Sequence, residues 1–271
     1  MRSFPTPRLP LSARQSACRG LLALLAAAAL LGCTPAAHAV DGSELSFDGQ
    51  LYRVVRIDLR HEKLTLHWRD PSSGQPYGSI ETLRQWGSAH GERLLFAANA
   101  GIYDRRQSPL GLYVENGRTV VPLNLAHGNP AAGNFSLLPN GVFAVYPDGH
   151  AAVRTSNDFK ADDKPAQWAT QSGPMLVIDV QLNEQFVDDS ASLKWRSGVC
   201  VRTPTEVIFA VSEAPVNFHA FGRLFRDQLG CRNALYLDGS ISQLYVDGEY
   251  AGAPAFMVKP YAGIFAVFAK P

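Results

Sequence analysis

The chain carries little net charge, +1 over 271 residues, and that charge is unevenly distributed. The first 32 residues contain four arginines and no carboxylate, which leaves 21 basic and 24 acidic residues for the rest, a net charge of −3. A protein that binds the phosphate backbone of nucleic acid needs a basic face. The weakly acidic body therefore argues against nucleic acid as a partner.

The sequence also lacks an apolar run long enough to cross a bilayer. Its longest run, Leu21–Leu31, would span roughly 16 Å as a helix, about half of the hydrocarbon thickness. A short apolar run that follows arginines is typical of a signal peptide. We therefore expect residues 1–39 to be an export signal and residues 40–271 to form the mature domain.

Two processing sites fit this export segment. The sequence Leu30-Leu31-Gly32-Cys33 resembles a bacterial lipobox, in which Cys33 would be lipidated. The stretch 37–39 fits the small-x-small rule for cleavage after Ala39. Both readings predict a periplasmic or secreted protein, and a lipid on Cys33 would be its only attachment to a membrane.

Cysteines are scarce, and only Cys200 and Cys231 lie beyond the export segment. Neither belongs to a C-x-x-C pair, so a zinc site is not expected. In an oxidising compartment the two can form a disulfide. The alternative is a pair of buried free thiols that pack as small apolar groups, and the sequence leaves both open.

Several catalytic signatures are missing. The chain contains no G-x-S-x-G, no H-E-x-x-H and no glycine-rich nucleotide-binding loop. These absences remove support for a serine hydrolase of the nucleophile-elbow type, a zinc protease and a nucleotide-binding protein.

What is present is a succession of short strands with few helices. Alternation over Leu51–Leu59 and the continuous apolar run Leu94–Ala98 predict strands. Ser79 is placed to cap a helix through about Ala89, and Asn217 to cap a second one that Gly230 ends. We expect an α+β fold in a single domain, β-rich, with mixed sheets, a few helices and clusters of polar residues at strand ends.

The connections give weaker signals. Asn116-Gly117 and Asn140-Gly141 predict tight turns, because both residue types tolerate positive φ. The stretch 60–62 predicts a hairpin between two strands. The stretch 135–138 predicts a strand, and the polar stretch 155–164 predicts a loop.

Three polar clusters lie where predicted strands begin or end, and one of them has two segments. Asn99–Asp104 follows the run Leu94–Ala98, and Asp238-Gly239-Ser240 closes the run Ala234–Leu237. Thr170–Pro174 precedes another apolar run, and Arg196-Ser197 leads into the next strand. Ligand groups often lie at strand ends. Taken singly, such clusters are more often turns than binding sites, and an arginine such as Arg196 usually forms a surface ion pair.

Taken in chain order, these segments resemble the phosphodiester glycosidase family, over about Tyr52 to Phe268. The most specific part, 217–242, reads NFHAFGRLFRDQLGCRNALYLDGSIS and is similar to that family's helix, Gly-Cys turn and Leu-Asp-Gly-Gly-Gly-Ser ending. Ser240 and Ile241 stand where the family usually has two glycines. Asn99 and Gly101 match an Asn-Gly-Gly-aromatic segment whose aromatic residue is Tyr103 here.

The resemblance implies an exported hydrolase of sugar-1-phosphodiesters that takes a small carbohydrate or sugar phosphate. Asp238 would be the nucleophile or base and Arg196 the phosphate clamp, while Asn99 would bind a sugar hydroxyl. The substrate-binding residues implied are Gly101, Asp104, Ser172, Gly173, Ser197, Gly239, Ser240 and Ser242. The alternative function is a non-catalytic cell-envelope protein of the same fold that binds a glycan or phosphodiester.

No metal or cofactor is predicted. Asp238, Asp104 and Asn99 offer hard oxygen atoms that suit calcium. Their spacing forms no recognisable metal-binding loop, so the residues alone do not support a calcium site.

Overall fold

The computed structural model describes residues 1, 40–126, 130–238 and 242–269. The chain divides into two units, Met1–His38 and Ala39–Pro271, and the second contains all the elements given below. The expected export segment, including Cys33 and both processing sites, lies outside the described residues. Within the described ranges, no helix has the length and hydropathy of a membrane span.

The described ranges contain short strands and three α-helices. The strands are β1 (Val40–Phe47), β2 (Gln50–Asp58), β3 (Thr65–His67), β4 (Leu94–Asn99), β5 (Tyr113–Glu115), β6 (Arg118–Val121), β7 (Gly141–Val145), β8 (Ala151–Thr155), β9 (Trp168–Ser172), β10 (Met175–Ile178), β11 (Gln181–Leu182), β12 (Ser197–Thr203), β13 (Glu206–Ser212), β14 (Ala234–Asp238), β15 (Gln243–Val246), β16 (Glu249–Gly252) and β17 (Ile264–Phe268). The helices are α1 (Ile80–Ala89), α2 (Ser156–Asp162) and α3 (Phe218–Arg223), which continues as a π-helical turn, Leu224–Gln228. Short 3₁₀ segments cover Pro130–Ser136 and Ala255–Met257.

The strands form three sheets. The first has the order β1-β2-β13-β12-β14-β10-β11, the second β16-β15-β4-β17-β3 and the third β6-β5-β9-β7-β8. All strand pairings in the described residues are antiparallel. The described sheets therefore do not combine parallel and antiparallel strands, as a mixed sheet would. The prediction of a β-rich α+β fold in one domain is confirmed.

The three sheets share one hydrophobic core. Phe209 comes from the first sheet, Phe96 and Phe265 from the second, and Phe143 from the third, and all four are buried. Their ring centroids lie 4.9–5.9 Å apart in four pairs, the spacing of favourable aromatic contacts. These rings are buried only when all three sheets pack together. This packing also brings strand ends of different sheets close to one another.

Helices cover the outer faces of two sheets. The Ser79 hydroxyl accepts a hydrogen bond from the Thr82 amide and begins α1, which buries Ile80 and Leu83 against the second sheet. The Asn217 carboxamide accepts from the Ala220 amide at 2.8 Å and begins α3. The helix and its π turn bury an apolar stripe against the first sheet, the residues Phe221, Leu224, Phe225 and Leu229. Both predicted helix starts are confirmed, and Gly230 has the expected positive φ of 66°.

A disulfide joins Cys200 in β12 to Cys231 just after the π turn, closing a separation of 31 residues. Both cysteines are buried in the cluster beneath α3. The free-thiol alternative is therefore excluded by the structure. The bridge fastens the end of the helical segment to the sheet that carries β14.

Four local predictions are wrong. The stretch 60–62 is no hairpin, because β2 and β3 belong to different sheets. Asn140-Gly141 is no turn: neither residue has a positive φ, and Gly141 begins β7. The stretch 155–164 is mostly helix α2, capped by the Thr155 hydroxyl. The expected strand at 135–138 is instead the end of a 3₁₀ segment and the turn after it.

Candidate functional site

Asp238 ends β14 and is held there by its main chain. It pairs with Ser197, the first residue of β12. Its carbonyl accepts hydrogen bonds from the Ser242 hydroxyl at 2.6 Å and from the Ser197 hydroxyl at 3.5 Å. Ser197 and Ser242 are both buried. Two of the expected substrate-binding serines therefore hold the backbone of the expected catalytic carboxylate.

Asn99 joins the second sheet to the same place. It ends β4, its side chain is 1% exposed, and its Oδ1 accepts a hydrogen bond from the Gln243 amide at 3.1 Å. Gln243 directly follows Ser242, so Asn99 reaches the segment that leaves Asp238. Its carboxamide oxygen therefore already accepts a hydrogen bond from the protein, and any contact with a ligand would be additional.

Gly101 lies where two sheets approach too closely for a side chain. A Cβ at this position would collide with the Gln171 carbonyl oxygen and would lie 2.7 Å from the Thr170 hydroxyl. Gly101 thus brings the chain after β4 against the end of β9. The glycine expected to bind substrate has a clear packing function.

Ser172 and Gly173 bring the third sheet to the site. The Ser172 hydroxyl donates to the Leu237 carbonyl at 2.9 Å, one residue before Asp238. A Cβ on Gly173 would collide with Asn140 Oδ1, so only glycine fits there. Ends of strands from all three sheets therefore meet around Asp238.

Arg196 is fully buried, with 0% of its surface exposed. Its Nε donates to the Val216 carbonyl at 2.8 Å and its Nη2 to the Ser192 carbonyl at 2.9 Å. Its guanidinium carbon lies 3.6 Å from the centre of the Phe218 ring and 5.5 Å from that of Tyr236. The expected surface ion pair is absent: within the described residues Arg196 forms no salt bridge, and its Nη1 has no acceptor.

No carboxylate among the described residues forms a salt bridge with Arg196, so its positive charge has no counterion there. Burial lowers the pKa of the guanidinium, while the neighbouring Tyr236 opposes that shift. An arginine has the highest pKa of the protein side chains and stays protonated. The site therefore contains a buried positive charge that favours an anion nearby.

Two tyrosines that the sequence did not single out as site residues lie near Asp238. Burial, and then the charge of Asp238, raises the pKa of Tyr103 well above its usual value. The same two causes raise the pKa of Tyr236, and the Asn134 amide donates to the Tyr236 hydroxyl at 3.3 Å. Both phenols stay protonated and can donate hydrogen bonds. In the sequence, Tyr103 was identified only as the aromatic residue that follows Asn99 and Gly101.

The remaining expected residues are less tied to this place. The Asp104 carboxylate accepts hydrogen bonds from the Arg106 and Ser108 amides at 2.8 and 2.9 Å, which stabilise its own turn. Gly239 and Ser240 lie outside the described residues, as does Ile241. Within the described residues, no group of three or more His, Cys, Asp or Glu side chains could hold a metal ion.

Comparisons with known proteins agree with the resemblance. A family model described as phosphodiester glycosidase matches residues 92–268. A protein of Escherichia coli strain K12, "Uncharacterized protein YigE", is 34% identical over 234 residues, which cover 86% of this chain and 88% of that protein.

Two solved structures share the fold. One is the catalytic domain of zebrafish N-acetylglucosamine-1-phosphodiester alpha-N-acetylglucosaminidase, auto-inhibited by its pro-peptide, with a TM-score of 0.59 and 14% identity over 85% of this chain and 82% of that one. The other is a hypothetical protein from Synechocystis, with a TM-score of 0.53 and 16% identity over 85% of this chain and 62% of that one. At these identities the structures establish the fold, and the family model and the E. coli relative establish the family. The chain belongs to the phosphodiester glycosidase family.

Proposed function

We propose that this protein is an exported hydrolase that cleaves a sugar-1-phosphodiester, with Asp238 as nucleophile or base. The observation that supports this most is the position of Asp238. It lies within the part of the chain that matches the family, at the point where strand ends from all three sheets meet. Two phenols in its electrostatic field complete a site rich in hydrogen-bond donors.

The chemistry needs a group that stabilises the positive charge on the sugar, a nucleophile or an activated water, and a group that binds the phosphate. The bond between the anomeric carbon and the phosphate oxygen breaks, and its electron pair leaves with the phosphate monoester. The Asp238 carboxylate stabilises the positive charge that develops on the sugar, and either attacks that carbon or takes the proton of the attacking water. A phosphate monoester is a weak base, so its departure needs little help from a general acid.

Arg196 favours the phosphate through its charge. Its guanidinium has no carboxylate partner among the described residues, and Nη1 is the nitrogen left without an acceptor there. A buried cation attracts an anion more strongly than an exposed one, because less water screens it. The phenols of Tyr103 and Tyr236, whose pKa values are raised by burial and by the charge of Asp238, are available as hydrogen-bond donors near Asp238, and we assign to Asn99 the positioning of a sugar hydroxyl.

The test is hydrolysis of a panel of sugar-1-phosphodiesters by the purified protein. We expect release of free sugar, and a fall in kcat of about 10²–10⁴-fold in Asp238→Asn, the range for loss of an acid–base group. Asp227→Asn removes a carboxylate on the exposed side of the π turn and should leave kcat unchanged. Equal kcat in the wild type and Asp238→Asn, or no turnover on the panel, would contradict the proposal.

A non-catalytic binding protein is the second candidate, favoured by Ser240 and Ile241 in place of two glycines. The sequence thus carries two side chains within three residues of Asp238 where the family usually has none. Calorimetry that shows tight binding of a sugar phosphodiester without turnover, unchanged in Asp238→Asn, would establish this alternative.

Export is part of the proposal and has its own test. Mass spectrometry of the mature N-terminus distinguishes a chain that begins at lipidated Cys33 from one that begins at Val40. A cytoplasmic protein that keeps Met1 would contradict export.

A further inference from the structure

Helix α2 covers only part of the outer face of the third sheet. Side chains alternate across β5, so Tyr113 belongs to the shared core while Leu112 and Val114 belong to a smaller outer cluster. α2 packs against β7 and β8, at one edge of the sheet. Its seven residues span roughly 10 Å, whereas the five strands extend over roughly 19 Å. α2 therefore leaves the outer face above β5 and β6 uncovered.

A cavity of about 380 Å³ lies on this uncovered part. It is bounded by β5 and β6, by the end of α2 and by the segment 163–166, which leads from α2 towards β9. Its volume falls within the range of small-molecule sites, about 300–1,000 Å³. In the described part of the chain, none of the candidate-site residues lines it. The cavity is thus a separate feature, on the side of the third sheet that faces away from the shared core.

Most of the lining is apolar. The apolar lining residues are Leu112, Val114, Leu123, Phe159, Pro165 and Ala166. Leu112, Val114 and Ala166 are buried, with only 5–6% of each residue exposed. Covering an apolar lining with an apolar part of a ligand is favourable, by an amount that grows with the area removed from water. The lining therefore favours a ligand with an apolar chain.

Two exposed lysines also line the cavity. Lys160 lies in the last turn of α2, and Lys164 follows the end of that helix. Within the described residues, neither lysine forms a salt bridge. Asp163 is the one carboxylate of the described lining, which gives the lining a net charge of +1. An anionic group at the edge of the cavity is therefore attracted.

The same lining disfavours two other kinds of ligand. A carbohydrate needs several hydrogen-bonding side chains, and the described lining offers one hydroxyl, that of Thr119, and no side-chain amide. A phospholipid has two acyl chains, and a cavity near the lower end of the small-molecule range has room for one short chain. The second chain would remain in water.

We propose that this cavity binds a single-chain carboxylate amphiphile. The apolar chain lies on Leu112, Val114 and Ala166, and the carboxylate lies near Lys160 and Lys164. This binding site is separate from the candidate site, and it does not depend on the proposed function.

A chain-length series tests the apolar part of the site. Isothermal titration calorimetry on the purified protein would use hexanoate, octanoate and decanoate, each below the concentration at which it aggregates. We expect Kd to fall about two- to fourfold for each added CH₂ group, because each one buries further apolar area. No binding, or a Kd that does not depend on chain length, would overturn the proposal.

Charge variants test the site of the carboxylate. The Kd of octanoate should rise about two- to fivefold in the double variant Lys160→Gln/Lys164→Gln, the range for exposed ion pairs. It should fall about twofold in Asp163→Asn, which removes a repulsion. Octan-1-ol has the same chain without the charge, and its Kd should not change in either variant. Octanoate binding that stays unchanged, or changes in the opposite direction, contradicts the proposal.

A cavity-filling variant tests the location. Thr119 is exposed in β6, and strands accommodate aromatic residues, so Thr119→Trp should fill the cavity without disturbing the core. Thr203→Trp in β12 is the matched control, also an exposed strand threonine and outside the cavity lining. In NMR titrations of the wild type, octanoate should shift the amide signals of Thr119 and Lys164.

The Kd of octanoate should rise at least about tenfold in Thr119→Trp and stay unchanged in Thr203→Trp. Equal affinity in these two variants would place the ligand elsewhere and refute the assignment. Binding to phosphatidylglycerol vesicles without binding of the soluble carboxylates would also refute it, in favour of a membrane surface.

Discussion

His67 makes the stability of this protein sensitive to mild acid. Its ring packs against Tyr77 and Phe268, with centroids at 6.3 and 5.8 Å. The Thr65 hydroxyl donates its hydrogen to the Ala266 carbonyl, so it must accept the bond of 2.8 Å from His67 Nε2. Protonation would add a hydrogen and a charge at Nδ1, for which the described residues show no acceptor. Burial, and then the charge of Lys63, lowers the pKa of His67 from 6.5 to about 4.

The direction of the effect follows from proton binding. Between pH 6.5 and about 4 the unfolded chain holds a proton on His67 that the folded chain does not, so stability falls as pH falls through this window. From pH 7 to pH 5 the loss is about 2 kcal/mol. For a domain of this size that corresponds to a Tm lower by roughly 4–8 °C.

The assay is thermal unfolding at pH 7 and pH 5 for the wild type and His67→Gln. Glutamine keeps a donor for Thr65 and takes up no proton, so the Tm difference between the two pH values should shrink by that amount. His61→Gln is the control: the ring is exposed in the folded protein, and its loss should leave the difference as in the wild type. An equal pH dependence in the wild type and His67→Gln would refute the reasoning.

Two further predictions concern packing and crosslinking. Gly101→Ala should lower the free energy of unfolding by about 1–3 kcal/mol, because the new Cβ would collide with the Gln171 carbonyl oxygen. Urea titration measures this loss. An unchanged urea midpoint would show that the backbone accommodates the methyl group at no cost. Replacing Cys200 and Cys231 together by alanine opens a loop of 31 residues and should lower the free energy of unfolding by about 4 kcal/mol. Denaturant unfolding measures this loss. The wild type with its disulfide reduced is the control, and its stability should match that of the double variant.

Signals confined to a few neighbouring residues predicted the structure well. Ser79 and Asn217 cap helices because each side chain reaches an amide three residues away, a contact that the sequence alone defines. Asn116-Gly117 takes positive φ at both residues. The helix at 156–162 was missed although it begins with the same kind of signal, a Thr155 hydroxyl that accepts from the Asp158 amide.

Contacts between distant segments could not be predicted in the same way. Alternation predicted the strands before and after residues 60–62, but it carries no information on which sheet each strand joins. Asn140 looked like a turn residue because its preference for turns is visible, whereas the Phe135 carbonyl that binds its side chain is not. The burial of Arg196 depends on acceptors at Ser192 and Val216 and on the Phe218 ring, and these come together only in the folded chain.

The order of strands in the second sheet determines when the candidate site can form. β4, which ends at Asn99, lies between β15 and β17, and its Asn99 pairs with Ile264. β15 begins 144 residues after Asn99 and β17 begins later still, so β4 has no strand partner until these segments have been synthesised. Pairings of such long sequence separation fold slowly. The candidate site therefore assembles late in folding, and removing β17 would disrupt it by depriving Asn99 of its strand partner Ile264.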